Sequence, residues 1–172
     1  RNDGHKYLSD LYERRVRNFQ VSELPENMDH YENTNFLQVP HPLKALQRLV
    51  EKYRLQFDVP VIGVTGSNGK TVVKEWLYQL LSPERIITRS PRSYNSQIGV
   101  PLSVWLMNDK TELGIFEAGI SEMGEMEALQ SIIRPTVGIL TNIGGAHQEN
   151  FYSTSEKCME KLLLFKDCDV VV

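Results

Sequence analysis

Gly63-Val64-Thr65-Gly66-Ser67-Asn68-Gly69-Lys70-Thr71 decides how this chain is read. Ahead of it stands Val59-Pro60-Val61-Ile62, an apolar run of the length of a buried strand. Behind it Val72, Val73, Trp76, Leu77, Leu80 and Leu81 recur at helical spacing, which predicts an amphipathic helix. A strand thus runs into a glycine loop and the loop opens a helix, the arrangement a phosphate-binding loop requires. Gly66 and Gly69 let backbone N–H groups converge on an anion with no Cβ in the way. The helix start adds unpaired N–H groups and the positive end of its dipole. In that setting Lys70 reaches the β- and γ-phosphates of a nucleotide, and the Thr71 hydroxyl ligates the magnesium that travels with it. The general pattern G-x-x-x-x-G-K-[ST] puts its first glycine at position 64, where this chain has Val64; its loop is Thr-Gly-x-x-Gly-Lys-Thr.

The 172 residues suffice for one domain and part of a second. Hydrophobic residues make up 41% and charged residues 24%, the balance of an ordinary soluble globular chain. A net charge of −3 gives no general attraction to nucleic acid or to an anionic membrane. No apolar run approaches 18 residues and no signal peptide is present, so no membrane insertion is expected. Cys158 and Cys168 make no disulfide framework, and beside a nucleotide site they point to the reducing cytoplasm. The chain starts at Arg1 and stops at Cys168-Asp169-Val170-Val171-Val172, which reads as a strand just begun. The expectation is a piece of a longer protein, cut inside a sheet.

Residues 5–19 carry a helical stripe of Tyr7, Leu8, Leu11, Tyr12, Val16 and Phe19. A short strand Phe19-Gln20-Val21, a polar loop 23–35 and a second strand Phe36-Leu37-Gln38-Val39 follow. Residues 1–41 therefore read as the back half of a small α/β domain. Pro42 suits a helix start, and Leu43, Leu46, Leu49, Val50 and Tyr53 give a connecting helix over 42–57 its buried face. From 58 to 172 strands alternate with helices. Strands are expected at 85–88, 113–116, 137–140 and 170–172; helices are expected from Pro101, around Met126 to Ile133, and over 155–165. That alternation predicts a mainly parallel α/β sheet covered by helices on both faces.

Ligands of such sheets sit at the carboxyl ends of the strands. The loops there supply Asn95, Glu117 and His147. A carboxylate and an imidazole beside a triphosphate are candidate magnesium ligands, the imidazole the less usual one. Lys161 shares a helix face with Cys158 and Phe165. Burial among them would lower its pKa, and a neutral lysine amine can take up carbon dioxide as a carbamate. Spacing alone leaves Lys161 a surface lysine.

Together Thr65 to Thr71, Asn95-Ser96-Gln97-Ile98-Gly99-Val100-Pro101, Glu117-Ala118-Gly119 and the stretch from Asn142 to Phe151 resemble the ATP-binding core of the Mur ligases. These are the amide ligases of peptidoglycan precursor synthesis. Ile98-Gly99-Val100-Pro101 and Gly145-Ala146-His147-Gln148-Glu149-Asn150-Phe151 are most similar to the MurF class, which joins D-alanyl-D-alanine to UDP-N-acetylmuramoyl-tripeptide. The opening Arg1-Asn2-Asp3-Gly4-His5 resembles the UDP-substrate domain of that class, and the whole is most like ligases fused to an alanine racemase.

The resemblance implies ATP and Mg2+ as cofactors and a cell-wall function in the cytoplasm. It implies that Thr65, Gly66, Ser67, Asn68, Gly69 and Lys70 hold the phosphates. Thr71 and Glu117 would hold one magnesium, and His147 a second, with the carbamylated lysine of the family at Lys161. Asn95 would face the γ-phosphate and the acceptor carboxylate. Residues 1–41 would be the end of the UDP-substrate domain and 58–172 the first part of the central ATP-binding domain, a fragment inactive by itself. Two other readings share the loop: a folylpolyglutamate-synthase-like ligase, and a phosphate-loop nucleotide-binding module that makes no amide bond.

Overall fold

The computed structural model describes residues 3–144 and 150–172. Its contacts divide into two compact units, one ending at Ala45 and one running from Leu46 to Val172.

In the first unit a 3-10 turn, Gly4–Tyr7, leads into α1, Leu8–Glu13. The expected stripe over 5–19 is therefore cut short. Arg15 takes a left-handed φ of 66° and turns the chain, and Val16 is left exposed. Strands β1 (Asn18–Val21) and β2 (Asn35–Gln38) pair in parallel, Phe19 opposite Phe36. The loop between them contains one 3-10 turn, Met28–His30. Leu8, Phe19 and Val21 form a small core with Tyr12, Tyr31 and Phe36 packed against it, and the rings of Phe19 and Phe36 stack at 5.4 Å.

Helix α2 spans Pro42–Arg54, and the division between the units falls inside it. Val50 is fully buried and Leu46 and Tyr53 pack on the second unit's core, whereas Leu43 and Leu49 of the expected face are exposed. Arg54 is buried too. Its guanidinium donates to the carbonyls of Ile133 at 3.0 Å and Phe57 at 2.6 Å, which offsets the desolvation of its charge.

The second unit is built on strands β3 (Val61–Thr65), β4 (Ile87–Arg89), β5 (Leu113–Glu117), β6 (Val137–Leu140) and β7 (Val170–Val171). Among the described residues they form one all-parallel sheet in the order β4-β5-β3-β6-β7. The central strand β3 is buried along most of its length, the mark of a parallel strand covered on both faces. Helix α5, Glu125–Ile133, buries Met126, Leu129, Ile132 and Ile133, and these join Val61, Phe116 and Leu164 in the core. Helix α6, Thr154–Leu162, is capped by the Ser153 hydroxyl and tightens into a 3-10 turn at Leu163–Phe165.

Two helices present a face other than the expected one. Helix α3, Lys70–Leu81, leaves Val72, Trp76 and Leu80 exposed, half-buries Val73, Leu77 and Leu81, and buries Lys74 completely. Helix α4, Gly99–Val104, starts two residues before Pro101; it buries Val100 and Val104 and exposes Leu102, with Trp105 and Leu106 also exposed just beyond it. No described helix is long and apolar enough to cross a membrane.

Candidate nucleotide-binding site

The order of the sheet brings three strand ends together. Strand β3 lies between β5 and β6, so the loops that follow all three open side by side. The loop after β3 is the glycine loop. Gly66 (φ 142°) and Gly69 (φ 82°) occupy conformations that favour glycine. Gly69 is the N-cap of α3 and brings no capping side chain, so among the described residues the first-turn N–H groups of the helix gain no acceptor from their cap.

The loop after β6 grips this turn. Thr141 Oγ1 donates to Asn68 O at 2.5 Å, with Thr65 O as a second acceptor of the same hydrogen at 3.2 Å. The Ser67 N–H donates to Asn142 O at 2.9 Å and the Asn68 N–H to Asn142 Oδ1 at 3.1 Å. Ser67 Oγ and the Gly144 backbone close a second pair of hydrogen bonds. Thr65, fully buried, donates its hydroxyl to Ala118 O at 2.9 Å and ties the loop to the end of β5. Two of the amides expected to face phosphate, those of Ser67 and Asn68, are thus bonded to Asn142. Among the described residues, the open donors of the turn are those at the start of α3.

Lys70 curls over its own loop and donates to Gly66 O at 2.9 Å and Ser67 O at 3.3 Å. Burial lowers its pKa, and the charge of Glu117 acts in the opposite sense. Thr71 Oγ1 donates to Glu117 Oε2 at 2.9 Å and lies 3.2 Å from Ser93 Oγ. Glu117 is fully buried at the end of β5, and its Oε1 is the one buried side-chain oxygen or nitrogen among the described residues with no hydrogen-bond partner. A carboxylate oxygen held out of water without a donor is costly unless a cation meets it, and the cation beside this one is the Lys74 ammonium at 3.6 Å.

Lys161, on α6, is buried, with only 3% of its surface exposed. Its Nζ lies 3.3 Å from Gly66 O, the same carbonyl that Lys70 reaches. Burial, and then the neighbouring charges of Lys70 and Lys157, push its pKa down to about 8. Spacing alone put this residue on the surface; the structure puts it at the phosphate loop. Asn95 belongs to the loop between β4 and α4, and its backbone carbonyl accepts the Gly119 N–H at 2.8 Å, just past Glu117. His147 lies outside the described residues.

The sequence reading missed Lys74, Lys157, Ser90 and Ser93. Lys157 is buried one helical turn before Lys161 and donates to Gly144 O at 2.5 Å. Lys74 is buried under the loop that follows β4. Helical periodicity assigns both lysines to solvent, so their only sequence signal was nearness to Lys161 and Thr71.

Thr71 and Glu117 offer two hard oxygen ligands at one point. Among the described residues no three His, Cys, Asp or Glu side chains gather into a metal centre. That donor set suits magnesium, which takes one or two protein oxygens and completes its shell with phosphates and water.

Residues 64–171 match the family model described as Mur ligase middle domain. The UDP-N-acetylmuramoyl-tripeptide–D-alanyl-D-alanine ligase of Bacillus subtilis is 33% identical over 151 residues, covering 88% of this chain and 33% of its own length. That of Treponema pallidum is 42% identical over 106 residues, 61% of this chain and 23% of its own length. Among solved structures, MurF from Acinetobacter baumannii aligns over 97% of this chain and 36% of its own, with a TM-score of 0.87 and 25% identity. MurF ligase from Thermotoga maritima in complex with ADP aligns over 97% and 38%, with a TM-score of 0.83 and 29% identity. The chain thus spans about a third of the length of the curated relatives it matches.

Proposed function

This chain belongs to the Mur ligase family, and from that premise we propose that it is the nucleotide-handling part of an ATP-dependent ligase that joins D-alanyl-D-alanine to UDP-N-acetylmuramoyl-tripeptide. Residues 1–41 would be the end of the UDP-substrate domain, 42–57 the connecting helix and 58–172 the first part of the central domain. The division of contacts inside α2 supports that order. The cytoplasm, where nucleotide and UDP-linked precursor meet, fits two free cysteines.

One observation carries the proposal: Thr71, Glu117, Lys70 and Lys161 meet around the glycine loop at the carboxyl end of the central strand. A carboxylate is a poor electrophile. Transfer of the γ-phosphoryl group of ATP turns the acceptor carboxylate into an acyl phosphate, and the dipeptide amine then displaces phosphate. No protein nucleophile is required. What this chain must do is hold the triphosphate, orient it and neutralise its charge. The start of α3 and Lys70 serve the phosphates. Thr71 and Glu117 would hold magnesium, which supplies charge neutralisation on the phosphate oxygens. Glu117 Oε1, which accepts no hydrogen bond and has the Lys74 ammonium only at 3.6 Å, supports this assignment.

Lys161 as an ammonium would stand beside Lys70 and a magnesium site, an unfavourable place for a cation. Its pKa of about 8 makes the neutral amine accessible near neutral pH. As a carbamate it would present an anionic oxygen to a second magnesium, with His147 as the other protein ligand. Asn95 would face the acceptor carboxylate.

The test is phosphate release from ATP by the full-length protein with UDP-muramoyl-tripeptide as acceptor. Release that requires D-alanyl-D-alanine is the expected result, together with no turnover by the 172-residue chain alone. Release indifferent to the dipeptide overturns the assignment.

A further inference from the structure

Lys74 is fully buried on the helix that the phosphate loop opens, three residues after Thr71. A buried ammonium needs partners for its charge and its three donors. Lys74 finds them in one place. Its Nζ donates to Ser90 O at 2.8 Å and to Arg92 O, and it lies 3.1 Å from Glu75 Oε1 and 3.6 Å from Glu117 Oε1. Glu75 is held in turn by Arg89 at 2.6 Å.

The two carbonyls belong to the loop that follows β4, and that loop returns two contacts to the site. Ser90 Oγ accepts the backbone N–H of Glu117 at 3.2 Å, and Ser93 Oγ lies 3.2 Å from Thr71 Oγ1. Arg92, between them, has a left-handed φ of 48°, a conformation that a residue with a Cβ adopts only under constraint. Its carbonyl is one of the two on Lys74. One ammonium therefore connects α3, the loop after β4 and the end of β5. Those three elements carry Thr71, Ser93 and Glu117. On Glu117 the division of labour is plain: Oε2 takes the Thr71 hydroxyl, while Oε1 has no hydrogen bond and looks toward Lys74 at ion-pair distance.

We infer that Lys74 is a positioning residue for the magnesium site: it fastens the loop after β4 to α3 and sets the direction in which Glu117 presents its carboxylate beside Thr71. The inference rests on the reading of Thr71 and Glu117 as magnesium ligands. Lys74 itself is spent on Ser90, Arg92, Glu75 and Glu117, so in this reading it acts on the site through them. A lysine that merely filled the core would support the fold without selecting between magnesium-bound and magnesium-free nucleotide.

That difference is measurable in the full-length protein without turnover. The affinity for the non-hydrolysable nucleotide AMP-PNP is taken by calorimetry in saturating magnesium and again in EDTA. The ratio of the two affinities isolates the magnesium contribution. Lys74→Met keeps the length of the side chain and removes its charge and donors. It is expected to cut the ratio about tenfold, the low end of what loss of a group behind a metal ligand costs, while the affinity in EDTA holds. Lys74→Arg, which keeps charge and donors, is expected to restore most of the ratio.

Thermal unfolding accompanies each variant. Should Lys74→Met fail to fold, Ser90→Ala decides: it removes one oxygen, the acceptor of the Glu117 N–H, and is expected to lower the ratio in the same direction by a smaller factor. A wild-type ratio in the folded variants overturns the inference. So does a raised ratio, which would mean that the ammonium only competes with the cation. A wild-type protein whose affinity ignores magnesium overturns the magnesium reading itself, and this inference with it.

Discussion

Gly66→Ala probes the phosphate loop where its backbone has least room. At φ 142° a residue with a Cβ is strained by about 1–3 kcal/mol before any contact is counted. A Cβ at this position would stand 2.0 Å from Thr141 Oγ1 and 3.0 Å from both the N and the O of Asn142. The threonine can rotate away, but its single O–H then abandons the two carbonyls it serves, Asn68 O and Thr65 O, at about 1 kcal/mol. The Asn142 backbone has no such escape, because its carbonyl holds the Ser67 N–H at 2.9 Å. In its native shape the loop would carry about 2–4 kcal/mol of strain and lost bonding.

The cheaper response is for the loop to move, so the cost falls on the proposed anion site more than on the fold. We expect the Kd for ADP, measured by calorimetry, to rise about 100-fold or more, equivalent to about 2.7 kcal/mol. The midpoint of thermal unfolding should fall by only a few degrees. Adding Thr141→Ala removes the 2.0 Å contact but not those with the Asn142 backbone, so the double variant should recover only part of the loss. A Gly66→Ala protein that binds ADP within about threefold of wild type would refute the placement of phosphate at this turn.

Lys161 should leave a mark on stability at alkaline pH. Its pKa falls from 10.5 to about 8 on folding, so below pH 8 the folded chain bears the full cost of a buried ammonium, about 3 kcal/mol, and that cost is relieved as pH rises from 8 toward 10.5. Denaturant unfolding of wild type should therefore gain on Lys161→Met across that window, and parallel curves would contradict the burial. In the full-length enzyme, Lys161→Ala should lose nearly all turnover and regain part of it with acetate at fixed ionic strength, whereas Lys161→Arg should not, since its guanidinium keeps charge and fills the space. Full activity of Lys161→Ala without acetate would remove the residue from the site. Lys70→Ala should lower turnover by about 10²–10³ with the fold intact, and retention of more than about a tenth of wild-type turnover would deny it the transferring phosphoryl group.

Much of the architecture was written in short-range pattern. Val137-Gly138-Ile139-Leu140 and Leu113-Gly114-Ile115-Phe116 read as buried strands because a parallel strand covered on both faces is apolar at every position. Met126, Leu129, Ile132 and Ile133 read as a core face because α5 packs along its whole length. Periodicity failed on α3 and α4, where the apolar residues outnumber those the core can take. Val72, Val73, Trp76 and Leu77 all fit a helical stripe, yet burial splits them into an inner row and an exposed row. Spacing says that residues share a face; it does not say which face the sheet receives.

The site was legible in its backbone and only partly in its side chains, and the lysines show why. Lys70 announced itself because the glycines before it permit the positive φ angles that a tight anion-binding turn needs. Lys74, Lys157 and Lys161 carried no such marker, since a lysine on an amphipathic helix is ordinarily a solvated charge. What buries these three is a feature of the fold that no local pattern encodes. The loops after β3, β4 and β6 turn their carbonyl groups inward, at Gly66, at Ser90 and Arg92, and at Gly144, and an ammonium on a long apolar stem can reach them from a helix behind. Loops that bend tightly enough to gather N–H groups on one side must expose carbonyls on the other. Buried lysines are the natural complement of that reverse side. The geometry that would make the proposed anion site in front therefore creates a demand for cations behind it, and in this chain α3 and α6 meet it.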